Sequence, residues 1–143
     1  SFLSHDEAVS NNGLQRKATV TPAVALDDYL NGTKVDLIKM DIQGAEVIAL
    51  RGMLKTLSNP DIVLFCEFWP YGILESGNDP QEFLTTLRNL GLKLYEIDES
   101  AKSIRLIDDD IIARLLHLSK TEFAAHINLL CTRTDIVHRF LES

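Results

Sequence analysis

The chain has 143 residues, 45% of them hydrophobic and 24% charged, enough to bury the core of one domain. Its formal net charge of −7 argues against nucleic acid or an anionic membrane surface as a partner, because both select a basic face. No apolar run approaches the ~18 residues of a membrane-spanning helix, and the opening residues lack a signal-peptide pattern. Cys66 and Cys131 each lie in an apolar, strand-like run, which points to a reducing, cytoplasmic setting without a disulfide. The first residue is Ser and not Met, as expected of a piece of a longer chain.

In chain order, residues 1–18 are polar and aperiodic, with Asn11-Asn12-Gly13 as a turn signal, and read as a tail or surface loop. Residues 19–143 read as one folded unit. Val20, Val24 and Leu26 alternate weakly, and Pro22 among them implies an edge position. Asp27 to Leu30 form a short helical turn closed by Asn31-Gly32. Residues 35–42 (VDLIKMDI) are too apolar for a surface strand and fit a central strand covered on both faces, as in parallel sheets. Gly44 allows a tight turn, and a helix starting near Ala45 carries Val47, Leu50, Leu54 and Leu57 towards the sheet. Gly52 in mid-helix costs about 1 kcal/mol relative to Ala, which close packing on a strand explains. Asn59-Pro60 ends that helix.

Residues 61–68 (DIVLFCEF) form a second buried strand, and Trp69-Pro70-Tyr71-Gly72 an aromatic loop. Asp79 is the expected N-cap of the next helix, with Pro80 at its first position and Glu82 completing a capping box. Phe83, Leu84, Leu87 and Leu90 give that helix its apolar stripe, and Gly91 stops it. Residues 92–97 and 103–107 form a hairpin around a turn at 98–102. Asp108-Asp109-Asp110 open a helix over residues 111–118, where the helix dipole favours carboxylates. A helical turn at 121–125, a last strand at 126–132 and a short helix at 135–141 follow. The opening order requires right-handed βαβ crossovers, while the closing strands pair antiparallel. The fold class is therefore α/β with a mixed sheet.

Asp41, Gln43, Glu46 and Glu67 lie near the carboxyl ends of two strands that a βαβ unit sets side by side, where open α/β sheets place their sites. One reading makes them a polar cleft with a carboxylate to act as base or hold a ligand. The other has Asp41 capping the following helix and Glu46 answering its dipole. Lys39 shares a strand side with Asp41, about 6.5 Å along the chain. A lone ammonium inside a sheet is costly to desolvate, so Lys39 is expected in a buried pair with Asp41 or Glu67, the alternative being that it reaches the rim. Trp69 and Tyr71 form either a ligand-binding lip or a cap on the core edge. The histidines His5, His117, His126 and His138 lack zinc-type spacing and no Cys pair supports them, so no metal is expected, the alternative being a hard ion held by carboxylates; no glycine-rich phosphate loop is present.

Three stretches together resemble the signature of the FkbM-type methyltransferases: Leu26-Asp27-Asp28, then Lys39-Met40-Asp41-Ile42-Gln43-Gly44-Ala45-Glu46, then Leu50-Arg51-Gly52. Glu67, Gly91 and Asn128-Leu129-Leu130 also fit, and the likeness covers about residues 19–132. It implies a Rossmann-like class I methyltransferase fold with helices on both faces of a mixed sheet, and S-adenosylmethionine as cofactor. It also implies a hydroxyl of a small molecule or sugar as acceptor. By this resemblance Asp41 lies nearest the transferred methyl, with Asp41 and Gln43 on the cofactor. Glu46 and Glu67 orient acceptor or cofactor, Lys39 tunes them, and Trp69 and Tyr71 contact the acceptor. Gln43 stands where the family has Glu, which moves weight to Asp41 and Glu46. The family's glycine-rich cofactor loop precedes the signature and nothing in residues 1–17 matches it. The chain therefore reads as the carboxyl-terminal half of the catalytic domain, inactive alone.

Two other readings compete. A haloacid-dehalogenase-type phosphatase would want a second Asp at Gln43 and a Thr near Ala45. A non-catalytic or degenerate α/β module would act by association, and an exposed sheet edge would favour a homo-oligomer.

Overall fold

A computed structural model of the chain describes residues 2–3, 20–118 and 122–135. The helix expected at 135–141 and most of the tail expected at 1–18 fall outside these residues. The elements are β1 (Phe2–Leu3), β2 (Thr21–Pro22), α1 (Leu26–Leu30), β3 (Leu37–Met40), α2 (Glu46–Arg51), α3 (Leu54–Leu57) and β4 (Val63–Phe68). They continue with α4 (Pro70–Glu75), α5 (Pro80–Asn89), β5 (Lys93–Asp98), β6 (Ser103–Leu106), α6 (Asp109–Leu118) and β7 (Ile127–Thr132). Among the described residues, no helix is long and apolar enough to cross a membrane.

Five strands form one mixed sheet in the order β3-β4-β7-β5-β6, and β1 pairs antiparallel with β2 apart from it. β3 and β4 are parallel neighbours joined through α2 and α3. β7 returns antiparallel between β4 and β5, and β5–β6 is the expected hairpin. One sheet face carries Met40, Leu64, Cys66, Phe68, Leu129, Cys131 and Leu94, all buried in a cluster with Val47, Leu50, Leu57, Ile73, Phe83, Leu87, Ile112 and Leu115 from the helices. The Phe68 and Phe83 rings stack at 5.6 Å within it. Both cysteines are buried free thiols on this face. Desolvation, contact with Cys131 and the nearby Glu46 raise the pKa of Cys66; the contact with Cys131 contributes most.

β3 was expected in the middle of a sheet, but among the described residues it pairs with β4 alone. Leu37 of β3 is 58% exposed and Phe65 of β4 36% exposed on the other sheet face. An apolar run marks a strand that packs on something; it does not reveal how many neighbours flank it.

The helix after β3 also departs from its expected form. It breaks at Gly52-Met53 into α2 and α3. The break shifts the phase, so Met53 is buried and Leu54 is 39% exposed, in place of the regular stripe. Gly52 packs against α1's lead-in and not a strand: a Cβ there would lie 3.3 Å from Ala25 Cα. Its carbonyl also accepts the Asp27 N–H at 2.9 Å. The Asp27 carboxylate then caps α3 from a distance, accepting the N–H groups of Lys55 (2.9 Å) and Thr56 (2.8 Å) and the Thr56 hydroxyl (2.7 Å). Orphan N–H groups at a helix start need such an acceptor.

Asp79 caps α5 by accepting the Gln81 N–H at 2.9 Å. Glu82 does not complete the expected capping box. It takes Arg51 in a bidentate pair at 2.7 and 2.8 Å, tying α5 to α2. Arg133, just past β7, donates to the carbonyls of Leu57, Asn59 and Leu90, and so holds the carboxyl ends of α3 and α5.

Burial pushes the Asp27 carboxyl up, but its hydrogen bonds from Thr56 and Lys55, with the Lys55 charge, outweigh this and hold it below its ordinary value. A carboxylate with a lowered folded pKa stabilises fully above about pH 4, and the contribution is lost as pH falls through the folded value. Asp27→Asn should therefore flatten the acid limb of the Tm-versus-pH curve between about pH 5 and pH 2, and Asp27→Ala should cost about 0.5–2 kcal/mol near neutrality. Parallel acid limbs for wild type and Asp27→Asn would contradict this role.

Candidate active site

β3 ends at Met40, and the chain turns at Gln43 (φ 55°) and Gly44 (φ 100°), both in the left-handed region. A Cβ on Gly44 would lie 2.4 Å from the Gly72 carbonyl oxygen of α4, so only glycine fits. The closeness depends in turn on Gly72, whose own Cβ position is filled by the Trp69 ring. Ser76 donates its hydroxyl to the Gly44 carbonyl at 2.7 Å, and Glu46 Oε1 accepts the Gly44 N–H at 3.2 Å.

This turn brings Asp41 and Gln43 to Glu67 on β4. The Gln43 amide Nε2 donates to Asp41 Oδ1 at 3.2 Å and, more weakly, to Glu67 Oε2 at 3.5 Å. A shared amide donor offsets the repulsion between two neighbouring acidic side chains. A Glu at this position would add a third negative charge, so Gln43 suits the arrangement in this chain.

Asp41 and Glu67 border a cleft of about 270 Å³ lined also by Lys39, Met40, Phe65, Cys66, Ile97, Glu99, Asn128 and Leu129. Glu67, Asn128 and Ile97 lie opposite one another across β4, β7 and β5. Asn128 donates to Glu99 at 3.2 Å. Three carboxylates and one ammonium make the cleft negative, over a partly apolar floor. A second depression of about 350 Å³ lies before β3, lined by Asp27, Thr33, Lys34, Lys55, Ser58 and Asn59 among others. Its Lys34 is tied to Asp36 and Asp61.

The expected site residues are only partly gathered here. Asp41, Glu67 and Lys39 line the cleft, and Gln43 spans two of them. Lys39 is exposed and makes no ion pair among the described residues, contrary to the buried pair expected, because β3 is an outer strand. Asp41 does not cap α2: the residue before that helix is Ala45, and no side chain caps it. Glu46 is fully buried and does not line this cleft. It clamps the turn, and its Oε2 has no hydrogen-bond partner among the described residues, a cost of about 1–3 kcal/mol.

Trp69 and Tyr71 do not line the cleft either. The loop expected at 69–72 is the start of α4. Trp69 Nε1–H donates to the Phe123 carbonyl at 2.7 Å, and the Trp69, Tyr71 and Phe123 rings pack edge to face or tilted at 5.0–6.0 Å. That contact carries the loop before β7 to the carboxyl end of β4. There His126 Nε2 lies 3.7 Å from Glu67 Oε1. His126, Asn128 and Glu99 were not among the expected site residues. The signal for His126 and Asn128 was the antiparallel return of the last strand, which sets its first residues beside Glu67.

Residues 3–94 match the family described as the Methyltransferase FkbM domain. The chain belongs to this family. FkbM membership makes methyl transfer the general chemistry. The match includes Lys39, Asp41, Gln43, Glu46, Glu67, Trp69 and Tyr71, and it ends in β5, ahead of Glu99, His126 and Asn128. No curated protein and no solved structure matches the chain.

Gly44→Ala must force both a left-handed φ and a backbone clash, an expected loss of about 2–5 kcal/mol in urea unfolding. A loss within about 0.5 kcal/mol would mean the turn is not the constraint described.

Proposed function

We propose that this chain forms the acceptor side of an S-adenosylmethionine-dependent O-methyltransferase acting on a hydroxyl of a small molecule or sugar. The observation that carries the reading is the Asp41–Gln43–Glu67 bridge at the carboxyl ends of a parallel strand pair, in a chain of the FkbM family. S-adenosylmethionine, when bound, supplies an electrophilic methyl group on positively charged sulfur. The negative cleft suits that charged end, with Asp41 and Gln43 the residues beside it. Among the described residues no glycine-rich loop follows a strand, so the nucleoside end is held by elements outside them. The bare edge of β3 is where those elements, or a second copy of the chain, would pair.

The residues of the cleft bind and orient the acceptor. Asp41 orients the acceptor so that its oxygen lies in line with the methyl, within the ~3–3.5 Å of a near-attack geometry. Gln43 fixes the Asp41 carboxylate, and Lys39 tunes the field at the rim. Glu46 acts through the turn. Trp69 and Tyr71 act at one remove, holding the loop before β7 through Phe123. Two free buried thiols agree with a reducing, cytoplasmic setting.

The test is methyl incorporation from labelled S-adenosylmethionine into a panel of monosaccharides and hydroxylated small molecules, using the full-length protein. Asp41→Ala should lower incorporation about 10²-fold or more. Activity that survives this change would sink the role given to Asp41. Calorimetry should show negligible S-adenosylmethionine binding by residues 1–143 alone, whereas tight binding would put the whole cofactor site within them.

A further inference from the structure

Four polar groups in and beside the cleft form one chain of contacts. Asp41 Oδ1 takes the Gln43 amide, and that amide reaches Glu67 Oε2. The other Glu67 oxygen, Oε1, faces His126 Nε2 at 3.7 Å. His126 Nδ1 lies 2.9 Å from the Ala124 carbonyl oxygen. A carbonyl oxygen only accepts, so Nδ1 must carry the hydrogen. In neutral His126 that leaves Nε2 with its lone pair free, on the Glu67 side.

The arrangement has a direction. At 3.7 Å with no hydrogen on Nε2, Glu67 and His126 are near but unbonded. A proton arriving on Nε2 converts the contact into an imidazolium–carboxylate pair, so the site gains most when that proton is taken up. The His126 side chain is 49% exposed. It lines a shallower depression of about 320 Å³ that shares Ile97, Glu99 and Asn128 with the cleft. The loop carrying it is held: Trp69 Nε1–H binds the Phe123 carbonyl, Phe123 packs on Trp69 and Tyr71, and the Ala125 N–H binds the Glu122 carbonyl.

We propose that His126 is the proton acceptor for the methylated hydroxyl, with Nε2 as the receiving atom, Glu67 as its electrostatic partner and the Ala124 carbonyl fixing its tautomer. This rests on the methyltransferase reading above. The acceptor's O–H bond breaks and an N–H bond forms at Nε2. The electron pair of the broken bond stays on the acceptor oxygen, which uses it to bond the methyl carbon as the donor's sulfur keeps the pair of the C–S bond. One positive charge leaves the donor and one appears on the imidazolium. Histidine is suited to take and return a proton near neutral pH; the hydroxyl's single hydrogen points at Nε2, and Asp41 orients the acceptor through a neighbouring polar group.

The titratable groups facing His126 among the described residues are Glu67 on β4, Glu96 and Asp98 on β5, and Glu99 after it, with Asp41 and Lys39 across the cleft. Two readouts test the proposal. Long-range ¹H–¹⁵N spectra of the chain, with His126 assigned through His126→Gln, should show the proton of the neutral ring on Nδ1; a proton on Nε2 overturns it. In the full-length protein, His126→Gln should lower turnover about 10²-fold, with the KM for S-adenosylmethionine unchanged within about threefold, and should remove the ascending limb of the pH–rate profile. Wild-type turnover and profile in His126→Gln overturn the inference while leaving the methyltransferase reading intact. A wild-type protein that methylates no hydroxyl in the panel overturns both.

Discussion

The site depends on one backbone constraint, the left-handed turn at Gln43-Gly44 pressed against Gly72. Three independent contacts hold it: the glycine-on-glycine approach, the Ser76 hydroxyl on one side of the Gly44 peptide and the buried Glu46 carboxylate on the other. A carboxylate with one oxygen left unpaired is a costly way to hold a turn. The geometry it secures is the one that swings Gln43 back over the strand end, between Asp41 and Glu67. Without the turn, the two carboxylates would lack their common donor, and charges of like sign would separate.

The signature residues then divide by task. Asp27, Arg51 and Gly52 are architectural: Asp27 caps α3, Gly52 admits Ala25, and Arg51 ties α2 to α5 through Glu82. Together they fix the crossover between the two parallel strands, and so the spacing of Asp41 from Glu67. Asp41 lines the cleft that this spacing creates, and Gln43 bridges Asp41 to Glu67. The substitution of Gln for the usual Glu is consistent with a third role for that position, as a neutral donor between two acids.

How much of this the chain's residues reveal unaided follows from which interactions are local. Apolar runs, the Asp79-Pro80 start and the Asn31-Gly32 stop report local backbone preference, and the strands and helices fall where those signals stand. Lys39 shows the limit: its burial depends on sheet order, which a single strand does not encode. The break at Gly52-Met53 arises from packing on Ala25, a partner 27 residues away. Arg51 and Glu82 pair across 31 residues, which emptied the expected capping box. His126 and Asn128 reach the site only through the antiparallel register of β7 on β4, set by residues more than 55 positions apart.

Two depressions of similar size flank β3, one past its carboxyl end and one before its start. Their chemistry differs. The first holds Asp41 and Glu67 joined by the Gln43 amide, with Lys39 making no ion pair among the described residues, beside apolar surface, while the lysine and acid of the second are spent on Asp61, Asp36 and the α3 cap. The most direct measurement is backbone amide chemical-shift mapping of the full-length protein as the methyl acceptor that scores in the labelling panel is added. Shifts concentrated at residues 41–44, 67–69 and 126–128 are the predicted result. Shifts confined to residues 27–35 and 55–59 would contradict the account.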